Sequence, residues 1–482
     1  MASESVVIYW LRNDLRLADN PALTAALATG HAVLPVYIWS PEEEGDWVPG
    51  AASRVWLHES LKRLAKAYEA LGSRLVLRQG DSAETLHALC DAYGATTVFT
   101  SRRYEPHALH QEARVRDRLK GEDVNLQVFN GSLLNAPDAV ATQAGDPYKV
   151  FTPYYNACVK KGEPDEPFSA PQKIPAPKQW PTSDALADLA LVPDHSWVEK
   201  VRQHGAFGEA RALELLDAFT DDAIIDYPEL RDRPDVSGTS GLAPHLHFGE
   251  LSPRQVWHAA SAYRLSGEDT RPGNEAYIRQ LYWRDFAYHL LYYFPDTPEE
   301  PLKPMFAPFP WVEDDEALQR WQRGQTGYPF VDAGMRELWE TGWMHNRVRM
   351  VVASFLIKDL RIHWREGAQW FWDCLFDADL ANNSLGWQWV AGCGADAAPY
   401  FRVFNPFSQG KKFDPDGEYV RKWVPELAQV PDKYLQTPWE MPPIELAACG
   451  VTLGKEYPHP MVDHGEARKT ALAIYDELKA AK

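Results

Sequence analysis

Five short runs of apolar and β-branched residues punctuate the start of the chain: VVIYW (6–10), VLPVYIW (33–39), RLVLRQ (74–79), TTVFTS (96–101) and LQVFN (126–130). Between them, Ser53 to Leu71 and Ala83 to Tyr93 carry apolar residues at helical spacing. Strands alternating with amphipathic helices predict a parallel sheet with covering helices, a Rossmann-like α/β domain over residues 1–130. The turn after the first run, LRNDLRLADN, contains no glycine. It therefore lacks the G-x-G-x-x-G phosphate cradle, which weighs against a nicotinamide-dependent oxidoreductase.

From Gly131 to Pro193 both periods give way to Pro, Lys and acidic residues, as in KKGEPDEPFSAPQKIPAPKQWPTSD, and 131–200 is read as an interdomain linker. Beyond it, Glu209 to Phe219, Gly273 to Tyr293, Pro329 to Glu340 and Arg347 to His363 show helical spacing with few β-type runs. Residues 201–482 are expected to form an all-α domain.

At 482 residues, 45% apolar and 12% aromatic, the chain can bury more than one core. Five cysteines without a CxxC pair argue against a disulfide framework or a zinc site, so a reducing, cytoplasmic setting is expected. The N-terminus does not read as a signal peptide and no apolar run approaches the roughly 18 residues of a membrane span; a soluble monomer without membrane contact is expected. A net charge of -19 opposes nucleic-acid binding unless basic residues gather locally.

The stretch DADLANNSLGWQW, Asp377 to Trp389, is the densest in candidate chemistry. Asp377 and Asp379, two apart on a turn or helix end, can face one ligand, although helix capping is the plain alternative. Asn382 and Asn383 follow, and an amide can face a ring nitrogen whose redox state changes without changing its own charge. In GWMHNRVRMVVASFLIKDL, Asn346, Arg349 and Met350 share a helix face beside Arg347. Tyr282, Trp283 and Arg284 lie on another helix. The loop TSGLAP offers Thr239, Ser240, Gly241 and Leu242, whose hydroxyls and amides suit a phosphate.

These segments, in this order, resemble the photolyase and cryptochrome family over essentially the whole chain. The resemblance rests on WLRNDLRLADNPAL, TSGLAPHLHFGELSPRQ, YWRDFAYHL, TGYPFVDAGMRELWETGWMHNRVRM, DADLANNSLGWQWVAGCGADAAPYFRVFNP and KFDPDGEYVRKWVPEL. The closing AACGVTLGKEYPHPMVDHGEARKTAL is similar to bacterial photolyases close to plant cryptochromes, often called class III. The resemblance implies an α/β antenna domain and a helical domain holding FAD, with light-driven repair of cyclobutane pyrimidine dimers in UV-damaged DNA. FAD would be bound by Tyr227, Thr239, Ser240, Gly241, Leu242, Arg349, Asp377, Asp379 and Asn383, with Asn383 at flavin N5. Trp387, Trp364 and Trp311 would form an electron wire to the surface. Gln280, Trp283, Asn346, Arg347, Met350 and Trp389 would receive the flipped lesion. The antenna implied for this group is methenyltetrahydrofolate, with a deazaflavin or a second flavin as alternatives.

The chain departs from the family pattern at three places. Gln280 stands where dimer photolyases usually have Glu, and is shared with many (6-4) photolyases, which however have His where this chain has Asn346. Ala243 replaces a Ser near the flavin phosphates. His107 and Ala108 replace the Asn-Glu folate pair of enterobacterial enzymes. Basic residues gather at Arg336, Arg347, Arg349, Lys358, Arg361, Arg365, Arg402, Lys411, Lys412, Arg421 and Lys422, and acids between 296 and 316, which predicts a basic groove and an acidic face away from DNA. A cryptochrome-like photoreceptor is the rival reading; no long extension beyond ALAIYDELKAAK is seen to support it.

Overall fold

The computed structural model describes residues 5–264, 271–397, 399–400 and 402–480. Strands β1 (Val6–Leu11), β2 (Ala32–Trp39), β3 (Val76–Gln79), β4 (Thr97–Ser101) and β5 (Asn125–Phe129) form one sheet in the order β3-β2-β1-β4-β5. Every neighbouring pair is parallel, with Val6 opposite Ala32 and Thr97 opposite Asn125. Helices α1 (Pro21–Ala28), α2 (Ala51–Ala70), α3 (Ser82–Tyr93) and α4 (Pro106–Lys120) connect the strands. Both faces are covered, so all residues of β1 and β2 are buried. Alternate side chains feed separate cores: Val7, Tyr9 and Leu11 join one, Val6, Ile8 and Trp10 the other.

The segment expected to be a bare linker is more ordered than its composition suggests. It contains α5 (Phe151–Val159), and Phe151, Tyr154 and Cys158 are buried. Their spacing of three and four is a helical stripe, hidden in the sequence by the Pro- and Lys-rich residues that follow. The remainder is strapped to the sheet domain: Val33 N donates to Pro175 O (2.8 Å) and Ile174 N to Leu71 O (3.1 Å). Helix α6 (Ser196–Arg202) already begins before the expected boundary.

The helical part follows as α7 (Glu209–Ala218), α8 (Tyr227–Leu230), α9 (Ala243–His247), α10 (Pro253–Arg264), α11 (Arg271–Tyr293), α12 (Asp315–Gln322), α13 (Pro329–Thr341), α14 (Asn346–Ser354), α15 (Trp364–Cys374), α16 (Leu380–Ala391) and α17 (Pro406–Phe413). The helix expected from Arg347 to His363 is interrupted. After α14 the chain makes a π turn at Phe355–Asp359, and Arg361 then adopts a left-handed φ of 58°. No helix among the described residues is long and apolar enough to cross a membrane.

The glycine-free turn after β1 is where the sheet docks on the helices. Leu15 N donates to Phe248 O (3.1 Å), and Arg16 reaches Gly249 O (3.0 Å) and Gly131 O (2.7 Å). Leu17 N and Ala18 N both donate to Glu209 (2.8 Å each), and Asp19 pairs with Arg254 (2.5 Å). The close approach needs Gly249: its φ is 67°, and a Cβ there would lie 2.2 Å from Asn13 O. Gly249→Ala should therefore cost at least about 2 kcal/mol, from left-handed strain plus a backbone clash. Gly30, at φ 71° with nothing within 4 Å of an added Cβ, supplies the control. Gly30→Ala should cost only about 1 kcal/mol; equal shifts of the urea midpoint for the two variants would show that the Asn13 approach contributes nothing.

Candidate active site

Helix α16 places three of the sequence-selected residues four apart, at its N-cap Asp379, then Asn383 and Trp387, so they share one face. The Asp379 carboxylate is buried. One oxygen accepts from Asn382 N (2.9 Å) and Asn382 Nδ2 (2.8 Å), the other from the Tyr288 hydroxyl and from His247 Nδ1 at 3.4 Å. Burial pushes this carboxyl up, but His247, Arg284 and Tyr288 outweigh it and hold it well below the usual carboxylate range. Asp377 turns to a different partner, receiving both bonds of Arg349 Nη2 at 2.9 and 3.0 Å, while Arg349 Nε donates to Met344 O (2.8 Å). The two acids thus do separate work, and Asp379 caps its helix as well.

One turn into α16, Asn383 donates to Ala368 O (3.0 Å), and its oxygen has no partner among the described residues. A further turn on, Trp387 is buried edge-on against Phe371 (5.0 Å) and Trp321 (6.3 Å). Gly367 makes room for it, since a Cβ there would lie 2.1 Å from the indole Cη2. Helix α16 packs on α15, which begins at the buried Trp364. The His363 ring links the other two candidate tryptophans, with centroids 5.4 Å from Trp364 and 4.8 Å from the half-buried Trp311. His363 was not singled out from the sequence; the helical period stopped at it without revealing a ring between two indoles.

The TSGL loop connects to the same helices. Ser240 Oγ accepts from the Tyr277 hydroxyl of α11 (3.0 Å) and from Leu242 N (3.4 Å). Tyr227 is buried against Phe219 (5.8 Å) and Tyr277 (5.3 Å), and Leu242 is buried beside them. Thr239 is half-buried. Gly241 is left-handed at φ 67° with nothing within 4 Å of an added Cβ, so its backbone is unobstructed. Hydroxyls beside an open backbone suit phosphates, and the Asn383 oxygen with the Arg349–Asp377 pair suits the polar edge of a ring. The residues therefore fit a flavin dinucleotide.

Around α16, helices α11 and α14 both pack against it and carry the remaining candidates. On α14, Asn346 is exposed, and Asn346 Nδ2 and Arg347 Nη1 lie 3.9 and 3.7 Å from Met350 Sδ. Arg347 Nη2 donates to Asp232 (2.7 Å), and its guanidinium sits 4.6 Å from the Phe413 ring centre, which Lys412 Nζ approaches to 5.0 Å. On α11, Gln280 Nε2 donates to Ala276 O (2.9 Å) and Trp283 is half-buried, as is Trp389 on α16. Sequence reading missed His247, Tyr277, Tyr288 and Asp232. The first and third stood inside quoted motifs, but nothing local marked them as partners of Asp379.

The basic cluster needs correction. Lys358 is fully buried, donates to Tyr400 O (3.2 Å) and Arg402 O (2.9 Å), and burial pushes its pKa down to about 7. Arg336, Arg349, Arg365 and Arg421 are paired with Glu426, Asp377, Glu299 and Asp432. A helical period cannot separate a core lysine from a surface one. Lys411, Lys412 and Arg402 do remain exposed.

Residues 7–177 match the DNA photolyase family and residues 277–477 the FAD binding domain of DNA photolyase. Deoxyribodipyrimidine photo-lyase of Agrobacterium fabrum is 46% identical over 98% of each chain. Cryptochrome-1 of Arabidopsis thaliana is 37% identical over 98% of this chain and 71% of its own. The crystal structure of a bacterial class III photolyase from Agrobacterium tumefaciens superposes with a TM-score of 0.95 at 45% identity, covering 100% of this chain and 99% of that one. An α/β domain docked on a helical FAD-binding domain is the architecture these matches share. The chain belongs to the photolyase/cryptochrome family.

One site element is pH-sensitive. His345 caps α14 by accepting from Arg347 N at Nδ1 (3.2 Å), which requires the neutral ring, and burial holds its pKa at about 4 instead of 6.5. A lowered imidazole pKa gives stability that is full above pH 6.5 and is lost as pH falls through about 4. The loss should be on the order of 3 kcal/mol. His345→Asn keeps a cap without a titrating ring, so its urea midpoint should fall less between pH 7 and 4; a parallel fall would exclude His345 as the source.

Proposed function

We propose that this chain repairs cyclobutane pyrimidine dimers in UV-damaged DNA under blue light, using FAD. FAD held there would, in its reduced form under light, supply the electron-transfer chemistry that opening the cyclobutane ring requires. The observation that carries this reading is Asn383, on the α16 face shared with Asp379 and Trp387, donating to Ala368 O while its oxygen has no partner among the described residues. An amide accepts a hydrogen bond from a ring N–H but has no acidic proton to give. Arg349 and Asp377 hold the polar edge of the ring, while Thr239, Ser240, Gly241 and Leu242 take the phosphates beside Tyr227. Trp283 and Trp389 stack on the flipped pyrimidines, at roughly 1 to 3 kcal/mol per base, with Asn346, Met350 and Gln280 completing the pocket. Trp387, Trp364 and Trp311 return electrons from the surface to oxidised flavin, with the neutral His363 ring seated between the last two. Gln280 favours one second reading within the family, repair of (6-4) lesions, against which Asn346 stands.

For the antenna we favour methenyltetrahydrofolate. This choice follows the resemblance to the bacterial class III photolyases, with a deazaflavin or a second flavin as the alternatives. The absorption spectrum of the purified protein distinguishes the three chromophores.

Chemically reduced protein under blue light should restore thymine monomers from a dimer-containing oligonucleotide, and no release of monomers would reject the reading. Gln280→Glu should repair at least as well as the parent. Trp387→Phe should abolish photoreduction of oxidised flavin while leaving repair by pre-reduced protein largely intact, because the two electron paths are separate.

Binding follows from local charge. Arg347, Lys411 and Lys412 should make affinity fall with salt at a log-log slope of roughly -0.9 per phosphate neutralised. Trp389→Ala should remove the preference for damaged over intact duplex with nearly the same slope, because it takes away stacking and no charge. Equal affinity of the parent for both duplexes across the salt range would favour a photoreceptor.

A further inference from the structure

The indole of Trp283 is held on one side by a residue of the former linker. Phe151, at the first position of α5 and 1% exposed, lies parallel to it, with ring centres 3.7 Å apart and planes 7° from parallel. On α11, one turn before Trp283, Arg279 places its guanidinium 4.8 Å from the Phe151 ring centre and 4.7 Å from that of Tyr155, one turn further along α5. Phe286 meets both Phe151 and Trp283 edge-on at 5.8 and 5.9 Å. Trp283 itself keeps part of its surface exposed. A half-exposed indole with two free χ angles loses rotamer freedom when a base stacks on it; a parallel ring beneath it fixes that plane beforehand.

Besides its packing in the core, Phe151 is tied by its backbone to the loop after α16. Phe151 N donates to Asp396 Oδ2 (3.2 Å). Asp396 is exposed, has a left-handed φ of 44°, and lies in the loop after α16, the helix that carries Trp389. A carboxylate at the first turn of α5 is favoured by the unpaired amides and partial positive charge there. Trp283 and Trp389 come from elements about a hundred residues apart in sequence, and Phe151, stacked on Trp283 and bonded to Asp396, joins α11 through α5 to the loop that follows α16.

We propose that Phe151 is a positioning residue for lesion recognition, anchored by Asp396 and fixing the plane of Trp283 relative to Trp389. The inference rests on the reading of Trp283 as lesion-facing. Four variants, Phe151→Leu, Phe151→Tyr, Asp396→Ala and Trp283→Ala, are compared by the ratio of affinities for dimer-containing and intact duplex and by the rate of flavin photoreduction. Loss of an aromatic pair should lower the ratio for Phe151→Leu about three- to tenfold. Phe151→Tyr keeps the stacked ring and should restore it. Asp396→Ala, at an exposed site that leaves the core intact, should also lower it. Photoreduction should be unchanged in the Phe151 and Asp396 variants, because its tryptophans lie on other elements; a loss there together with a loss of the ratio would mean general damage and reject the specific role. An unchanged ratio for Phe151→Leu and Asp396→Ala beside a collapsed ratio for Trp283→Ala would overturn the proposal alone. An unchanged ratio for Trp283→Ala would overturn the lesion-facing reading beneath it.

Discussion

The docking of the turn after β1 against residues 247–252 is the constraint on which the rest of the molecule depends. Asp14 sits at its centre, accepting from Tyr9 (2.6 Å), Ser101 (2.7 Å) and Arg12 N (2.9 Å), while Arg16 and Asp19 reach across to Gly249 and Arg254. These charges are buried, so each is costly alone and tolerable only with its partners in place. An apolar interface could slide; this one has one register. On the helical side, Glu250 is saturated by Trp56 (3.3 Å), Ser60, Gly208 N (2.8 Å) and His245 (2.5 Å), which locks the same segment to α2.

That segment also carries His247, which faces Asp379. Fixing residues 247–250 against the sheet therefore fixes one donor of the carboxylate at the head of α16. Asp379 in turn sets where α16 begins, and the period of four then decides which face receives Asn383 and Trp387. Placement runs from a turn in the α/β domain, through one hydrogen-bonded loop, to side chains deep in the helical domain. A change at Gly249 reaches the candidate site by geometry alone.

The five strands were legible because a sheet covered on both faces reads as nearly continuous apolar runs, as VVIYW and VLPVYIW do. The long helices were legible for the complementary reason, a stripe at 3.6-residue spacing. Helix α5 was lost because nine residues give one short stripe inside Pro-rich surroundings. The break after α14 was lost because Lys358 and Asp359 look like a solvated helix end, whereas burial and the Asp359–His464 contact (2.5 Å) turn them inward. At the site, residue types could be picked from local patterns. Their partners could not: Asp379 meets Tyr288 across 91 residues and His247 across 132, and Trp283 meets Phe151 across a separation as long. No single-residue signal encodes such a pairing.

Charge shows the same division between local and long-range information. The total of -19 is a sum over the whole chain and does not say where the charges lie. Glu299, from the acidic run, accepts from Trp47 Nε1 (3.0 Å) and Arg365 (3.1 Å) and so ties α15 to the segment before α2. Beside the C-terminal end of α17 the balance reverses, since Arg347 and Lys412 both lie against the Phe413 ring and Lys411 is exposed next to them. Arg347 is also paired with the half-exposed Asp232, so a phosphate arriving there competes with a carboxylate already in place. Exchanging one anion for another across a partly screened contact costs little, because an exposed ion pair is worth roughly 0 to 1 kcal/mol. Asp232 can thus keep the guanidinium oriented before a ligand arrives without withholding it afterwards, and a strongly acidic chain can present a locally basic edge.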